Sequence, residues 1–518
     1  MTAGIKAFQE PEPGTVNVLT HGISDRQAGF LFCLFLAVHL VMWTLLPGLT
    51  RHELDADSMM HFAWGQEWRG SYALHPPVLP WVVAGFLQTF GINNWNYLLL
   101  SQINLCIAFT AVWLLARQFF RPAQALAAVC LLEFVPYYSF LGIRLNHSSL
   151  LISLWALGTL MAYLAVMRQR LIYWVLLGFI LALAMLTKYY AVMLVSAIGL
   201  WVLLSPRGRL SFRTPGPYAA AVVFLIIVVL HIQYVMAQEV ETITHPQNYI
   251  YLSSLIARWA PIKFLLAQVV YVVPAVLIFL LATRSSSVQE RFRAVFRVPD
   301  LPEGAGIVYM VLLLPLLATT LPGLILGVET SSRWGGPILV TAGLVLTLQY
   351  PLNLTSVQCG RVVLWALGYA VIVPAVMLLA LAQGTVESRY SFPGRALAEH
   401  ITNLWQTTEG RPLRLVGGGW MTADSIAYHS PDHPSALQHL SFRRSPWVTE
   451  DDVRDQGIVV VCLEDDQSCI ARAKSLFPGH PLEPLFIEGR DYGLSRSRSE
   501  RFLVMLVPPD SPESRTGN

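Results

Sequence analysis

Between Glu53 and Pro77 the chain places four carboxylates, Glu53, Asp55, Asp57 and Glu67, ahead of a His75-Pro76-Pro77 turn. The stretch directly follows the first apolar segment, so these acids stand where water meets lipid. A carboxylate there can act as a general base or hold a cation, and crossing a bilayer does not call for one. Asp57 also precedes a helical stretch and could simply cap it, and Asp55 reads equally as a cap or a solvated acid. A second set of candidates is cationic. Lys188 lies between two apolar segments beside Tyr189 and Tyr190, and Arg144 and Arg333 sit at similar segment edges. Each could clamp an anion, the arginines through two parallel bonds, or could be a long side chain reaching the interface. Asn146 and His147 face a polar cavity or begin a helix, and His75 approaches a substrate or stabilises its turn. His245, with Glu239 or Glu241, is a candidate ligand for a divalent metal, at a spacing that is not diagnostic.

The segments that must position these groups follow from composition. Hydrophobic residues make up 54% of the 518 and charged residues 13%, and the mean hydropathy is +0.52. That balance excludes an ordinary soluble protein and implies a polytopic membrane protein. The net charge of +3 comes without any Lys/Arg-rich run interleaved with aromatics, which argues against nucleic-acid binding. The first 26 residues lack a short apolar core with a small-residue cleavage site, so the first span is expected to remain in the mature chain. Cys33, Cys106 and Cys130 fall inside apolar segments as small hydrophobes. Cys462 and Cys469 are either a reduced pair or, in an oxidising compartment, a disulfide.

A spanning helix needs about 20 apolar residues, and eleven segments qualify, near 27–48, 97–117, 124–142, 147–167, 171–187, 189–205, 217–236, 263–283, 305–327, 335–350 and 362–383. Pro136, Pro274, Pro315 and Pro374 lie within them, which neighbouring helices can tolerate. Arginines gather in alternate loops, from Arg117 and Arg121 through Arg168 and Arg170 to Arg361, and acids in the others. The positive-inside rule then predicts a cytoplasmic N-terminus and places the acid-rich first loop outside. Residues 76–91 and 249–264 read as interfacial helices on that outer face. Beyond residue 385 the composition changes, and LRLVGGGW, GIVVVCLEDD and RFLVMLVPP read as strands, with helices near 392–405 and 468–476. The predicted plan is an all-α membrane part over 27–384, with its first outer loop at 49–96, behind a cytoplasmic segment 1–26 and ahead of a small periplasmic α/β domain over 385–518.

The loop from Asp57 through Trp64, Gln66, Tyr72 and His75-Pro76-Pro77 resembles the first outer loop of the GT-C membrane glycosyltransferases that use polyprenyl-phosphate sugars. These are the protein-mannosyltransferase-like and aminoarabinose-transferase-like group, glycosyltransferase families 39 and 83. Ser58 stands where that pattern has Glu, and Met59 and Met60 replace its paired aromatics. RLNHSSLLISLWALG at 144–158, LALAMLTKYYAV at 181–192, RWGGP at 333–337 and the Gly-Gly-Trp stretch near 418–420 are similar to further family segments.

The resemblance implies a bacterial inner-membrane enzyme moving a hexose or pentose from a polyprenyl phosphate to an envelope glycolipid of lipid A or lipopolysaccharide-core type. The acceptor would lie on the periplasmic side, and the enzyme would act as a monomer among membrane lipids with no cofactor beyond the divalent metal left open above. Such a transfer breaks an anomeric C–O bond whose leaving group is already a phosphate. It needs a base for the acceptor hydroxyl and cations for the phosphate. By resemblance Asp57 is the base of an inverting displacement, and Asp55, Trp64, Gln66, His75, Arg144, Asn146, Lys188, Tyr189 and Arg333 contact substrate. A transporter or flippase of lipid-linked glycans would instead show internal repeats and charges at mid-span, and neither is visible. A non-catalytic scaffold is the remaining alternative, suggested by Ser58.

Overall fold

The computed structural model describes residues 23–51, 53–237, 255–283, 301–326, 330–349, 354–382, 389–492 and 495–510. Helix α1 (Asp25–Thr50) starts at a capping box between Ser24 and Gln27. The loop after it carries the short α2 (Ala56–Gly65), and α3 (Val78–Phe90) begins immediately behind Pro76 and Pro77. Then come α4 (Asn94–Ala116), α5 (Pro122–Cys130), α6 (His147–Arg168), α7 (Leu171–Met185), α8 (Val192–Leu204), α9 (Pro206–Ser211) and α10 (Gly216–Ala237). The membrane part closes with α11 (Leu255–Ala282), α12 (Gly306–Leu326), α13 (Gly335–Ile338), α14 (Ala342–Gln349) and α15 (Ser356–Ala382).

Among the described residues seven helices are long and apolar enough to cross a bilayer: α1, α4, α6, α10, α11, α12 and α15. The remaining four of the eleven predicted segments are helical but shorter or broken. Helices α7 and α8 have 15 and 13 residues, and α13 and α14 are separated by a 3-10 turn at Leu339–Thr341. The segment at 122–143 bends by 95°. The bend sits at Val135, which Pro136 forces out of the α region into extended backbone. The predicted interfacial helix at 76–91 is α3. The one at 249–264 is corrected, because from Leu255 onward it is the beginning of α11, which runs on through Pro261 and Pro274. Val222, Leu225, Ile226 and Leu230 of α10 are exposed, a surface suited to hydrocarbon rather than water.

The bent segment carries a carboxylate into the apolar interior, Glu133 at the middle of the predicted segment 124–142, which corrects the expectation that no charge lies at mid-span. Glu133 is fully buried, and its two oxygens meet His39 Nδ1 at 2.8 Å and Trp43 Nε1 at 2.8 Å, both on α1. Beyond the bend, the Tyr138 hydroxyl donates to the Gly336 carbonyl at 2.6 Å. Polar groups in a low-dielectric interior must find such partners.

The C-terminal region is built from α16 (Gly394–Glu409), β1 (Leu415–Gly418), α17 (Trp420–His429), β2 (Ser435–Gln438), α18 (Glu450–Gln456), β3 (Ile458–Leu463), α19 (Gln467–Leu476), β4 (Glu483–Ile487), a small hairpin of β5 (Asp491–Tyr492) and β6 (Ser495–Arg496), and β7 (Glu500–Val507). The main sheet runs β2-β1-β3-β7-β4. Strands β2, β1 and β3 are parallel, and β7 lies antiparallel to both β3 and β4. The three expected strands are β1, β3 and β7. Cys462 on β3 and Cys469 on α19 form a disulfide, with Cα atoms 5.7 Å apart.

Candidate active site

Helix α2 is held from both sides. On one side Gly65 lets it close onto α3, since a Cβ there would meet the Pro80 carbonyl and Ala84. On the other side it leans on the C-terminal region. Ala63 joins that region's core, and Phe62 meets the Tyr428 ring edge to face at 5.4 Å. Trp64 stacks on Tyr72 with ring centroids 5.2 Å apart and donates its indole N–H to Gln438 Oε1 at 2.8 Å. Gln438 in turn donates to Asp424 Oδ1 at 2.6 Å. Gln66 donates to the Pro434 carbonyl at 3.2 Å. Just before the helix, Glu53 is buried against His429 Nε2 at 2.7 Å and accepts from Ser425 Oγ at 3.3 Å. Gly394 is required beside them, because a Cβ would meet both Glu53 Oε2 and Ser425 Oγ. The acid-rich loop is therefore clamped between the bundle and α17.

Burial of Asp424, offset only in part by its bond from Gln438, raises its carboxyl to about 8. Its other oxygen has no hydrogen-bond partner among the described residues. A folded-state pKa above the unfolded one means that the proton favours the folded chain, so stability from this group is present at low pH and is lost as pH rises from about 4 to about 8. Asp424→Asn keeps the acceptor for Gln438 and removes the charge. Its thermal unfolding midpoint is expected to match wild type in acid and to exceed it progressively towards pH 8. Parallel melting curves at all pH values would refute this.

The clamp leaves a cavity of about 400 Å³ lined by Asp57, Met60, His61, Leu74, His75, Asn146, His147, Ser148, Lys188, Thr330, Ser331, Arg333, Trp334 and Trp420. Asp57 lies in the first turn of α2, where the helix dipole favours a carboxylate. Asp55, rather than Asp57, takes the N-cap position, and instead of capping it pairs with Arg144. Asn146 caps α6, accepting from the Ser148 and Ser149 amides at 2.9 and 3.1 Å. Lys188 occupies the turn between α7 and α8. Its ammonium donates to Ser148 Oγ at 2.9 Å and stands 5.4 Å from the Trp334 ring. Burial, reinforced by the Arg333 charge, lowers Lys188 to about 8. Tyr189 bonds through its hydroxyl to His231 Nε2 at 2.8 Å.

Of the residues singled out in the sequence, Asp57, His75, Asn146, His147, Lys188 and Arg333 thus converge on one cavity. Asp55 and Arg144 pair with each other, Trp64 and Gln66 bind the C-terminal region, and Tyr189 binds α10; these five are not among the lining residues. His245 lies outside the described residues. Among the described residues no group of three or more His, Cys, Asp or Glu is arranged to hold a metal ion. His61, four residues after Asp57 and so on the same helical face, Thr330 and Ser331 also line the cavity and were not singled out in the sequence, whereas Trp334 and Trp420 lie in the family-like stretches at 333–337 and 418–420. Chemically, the cavity sets a carboxylate and two cations around a space the size of a small polar ligand.

Residues 74–234 match the family model for dolichyl-phosphate-mannose-protein mannosyltransferase. Among solved structures, the chain is similar to ArnT from Cupriavidus metallidurans bound to undecaprenyl phosphate, with 13% identity over 92% of this chain and 98% of that one and a TM-score of 0.60. The apo form of that protein gives 14% identity over the same shares and a TM-score of 0.59. No curated protein sequence matches the chain. The likeness at this identity establishes the fold, and it is the GT-C architecture that the first loop implied.

Proposed function

We propose that this multi-pass GT-C protein transfers a hexose or pentose from a polyprenyl phosphate to an acceptor hydroxyl, with inversion, in the cavity between α2 and Lys188. The observation that carries the reading is that Asp57, Lys188 and Arg333 line one cavity. Asp57 takes the acceptor's proton. The acceptor oxygen bonds to the anomeric carbon from the face opposite the phosphate, and the C–O pair departs onto the phosphate oxygen. Lys188, oriented by Ser148, and Arg333 receive that developing charge. The match to a dolichyl-phosphate-mannose family model and the undecaprenyl phosphate bound by ArnT support a polyprenyl-phosphate donor.

The periplasmic side of a bacterial inner membrane is supported by the arginine distribution and by the Cys462–Cys469 disulfide, a feature of oxidising compartments. A membrane-embedded donor opening onto that face suits an envelope glycolipid acceptor of lipid A or lipopolysaccharide-core type. The test is mass spectrometry of envelope lipids from cells with and without the protein. One glycolipid is expected to lose a single hexose or pentose increment in the deletion and regain it on complementation. An unchanged glycolipid and glycan profile would overturn the reading.

A further inference from the structure

Two imidazoles in the cavity wall have a ring nitrogen with no hydrogen-bond partner among the described residues, His61 Nδ1 and His147 Nε2. The two residues are only 1% and 4% exposed. Neither nitrogen is used by the phosphate-facing cations or by Asp57. Their chemical state follows from their surroundings. The other nitrogen of His147 bonds to the Pro76 backbone. Proline offers only a carbonyl, so in the neutral ring that nitrogen carries the hydrogen and Nε2 keeps its lone pair. Burial lowers His61 to about 3, so its ring is neutral. The two rings stand edge to face at 4.8 Å, and His61 shares a face of α2 with Asp57. A buried polar atom left unpaired is destabilising, and a ligand group of the right kind removes that cost.

We propose that His61 and His147 read the transferred sugar. They hydrogen-bond its hydroxyl or amino groups and hold the ring between the phosphate-facing cations and Asp57. This rests on the transferase reading above and adds the substrate feature recognised, a sugar with hydroxyl or amino groups on neighbouring ring positions. A deoxygenated sugar would leave the imidazole nitrogens stranded, the situation in which polar sites discriminate most strongly.

The test uses the full-length protein in lipid nanodiscs, titrated with bare undecaprenyl phosphate and with undecaprenyl phosphates carrying glucose, mannose or xylose and their monodeoxy forms. Wild type is expected to bind at least one sugared lipid about tenfold more tightly than the bare lipid, equivalent to about 1.4 kcal/mol, and to lose that preference for a deoxy form. His61→Phe and His147→Phe should erase the preference and leave bare-lipid binding unchanged. His61→Asn and His147→Gln, which put a polar atom near the original nitrogen, should restore part of it. A wild type that binds bare and sugared lipids equally, or Phe variants that keep the preference, would overturn the inference. If a Phe variant loses the bare lipid as well, its Asn or Gln counterpart decides, and absence of sugar preference there overturns it too. Failure of wild type to bind even bare undecaprenyl phosphate would instead overturn the transferase reading.

Discussion

Asp57→Asn is expected to lower turnover by about 10²- to 10⁴-fold, the usual contribution of a positioned general base, with donor binding nearly unchanged. The substitution is isosteric and sits in the first turn of α2, where it gives up the dipole interaction, about 0.3–1 kcal/mol, and an electrostatic attraction to Arg144. The helix is held independently of that charge, by Gly65 against α3 and by Trp64 against Gln438. A transporter or scaffold would be almost indifferent to the change. The measurement is transfer of labelled sugar by purified wild-type and variant protein at equal donor occupancy. Wild-type turnover in the variant would remove Asp57 from the chemistry.

Lys188→Met is expected to cost about 10²- to 10³-fold in kcat, comparable to losing one preorganised oxyanion donor. The donor phosphate is a diester with one negative charge, and the departing monoester acquires a second. A cation facing it therefore stabilises the transition state more than the ground state, and the loss falls on kcat more than on KM. The same residue gives a pH signature. Because Lys188 sits near 8, raising the pH through that value discharges the ammonium, and kcat/KM should fall on the alkaline side. Lys188→Arg keeps a charge at every accessible pH, so the alkaline fall should disappear even if the peak rate is lower. An alkaline limb that persists unchanged in Lys188→Arg would assign it to another group.

The parts of the site that were legible in the sequence are those whose residue types conflict with their surroundings. Carboxylates at the edge of an apolar span and a lysine between two apolar segments carry a desolvation cost that composition alone makes visible. His61 was not legible in the same way, because a histidine in a short amphipathic stretch conflicts with nothing; only its position four residues after Asp57 could have drawn attention. Trp64 and Gln66 belong to the motif that the family resemblance rests on, yet their polar atoms bond to Gln438 and Pro434, more than 360 residues away. No local pattern encodes such a contact. Strand β2, with four residues, and α17, opened by a glycine run, were missed for a related reason: each is stabilised by neighbours rather than by its own periodicity. The apolar segments gave helix positions well and helix lengths less well. Hydropathy counts apolar residues and does not record where Pro136 stops a helix.

The bent segment constrains how the chain enters the bilayer. A lone acid at mid-membrane costs about 2.5–3.5 kcal/mol on insertion scales, and Glu133 escapes that cost through two side chains of α1, His39 and Trp43. During synthesis α1 leaves the ribosome before the bent segment, so its two donors are already in lipid when Glu133 arrives at the translocon. Biogenesis is thereby ordered: a truncation lacking α1 would present an unescorted acid to the insertion machinery and expose the nascent protein to membrane proteolysis.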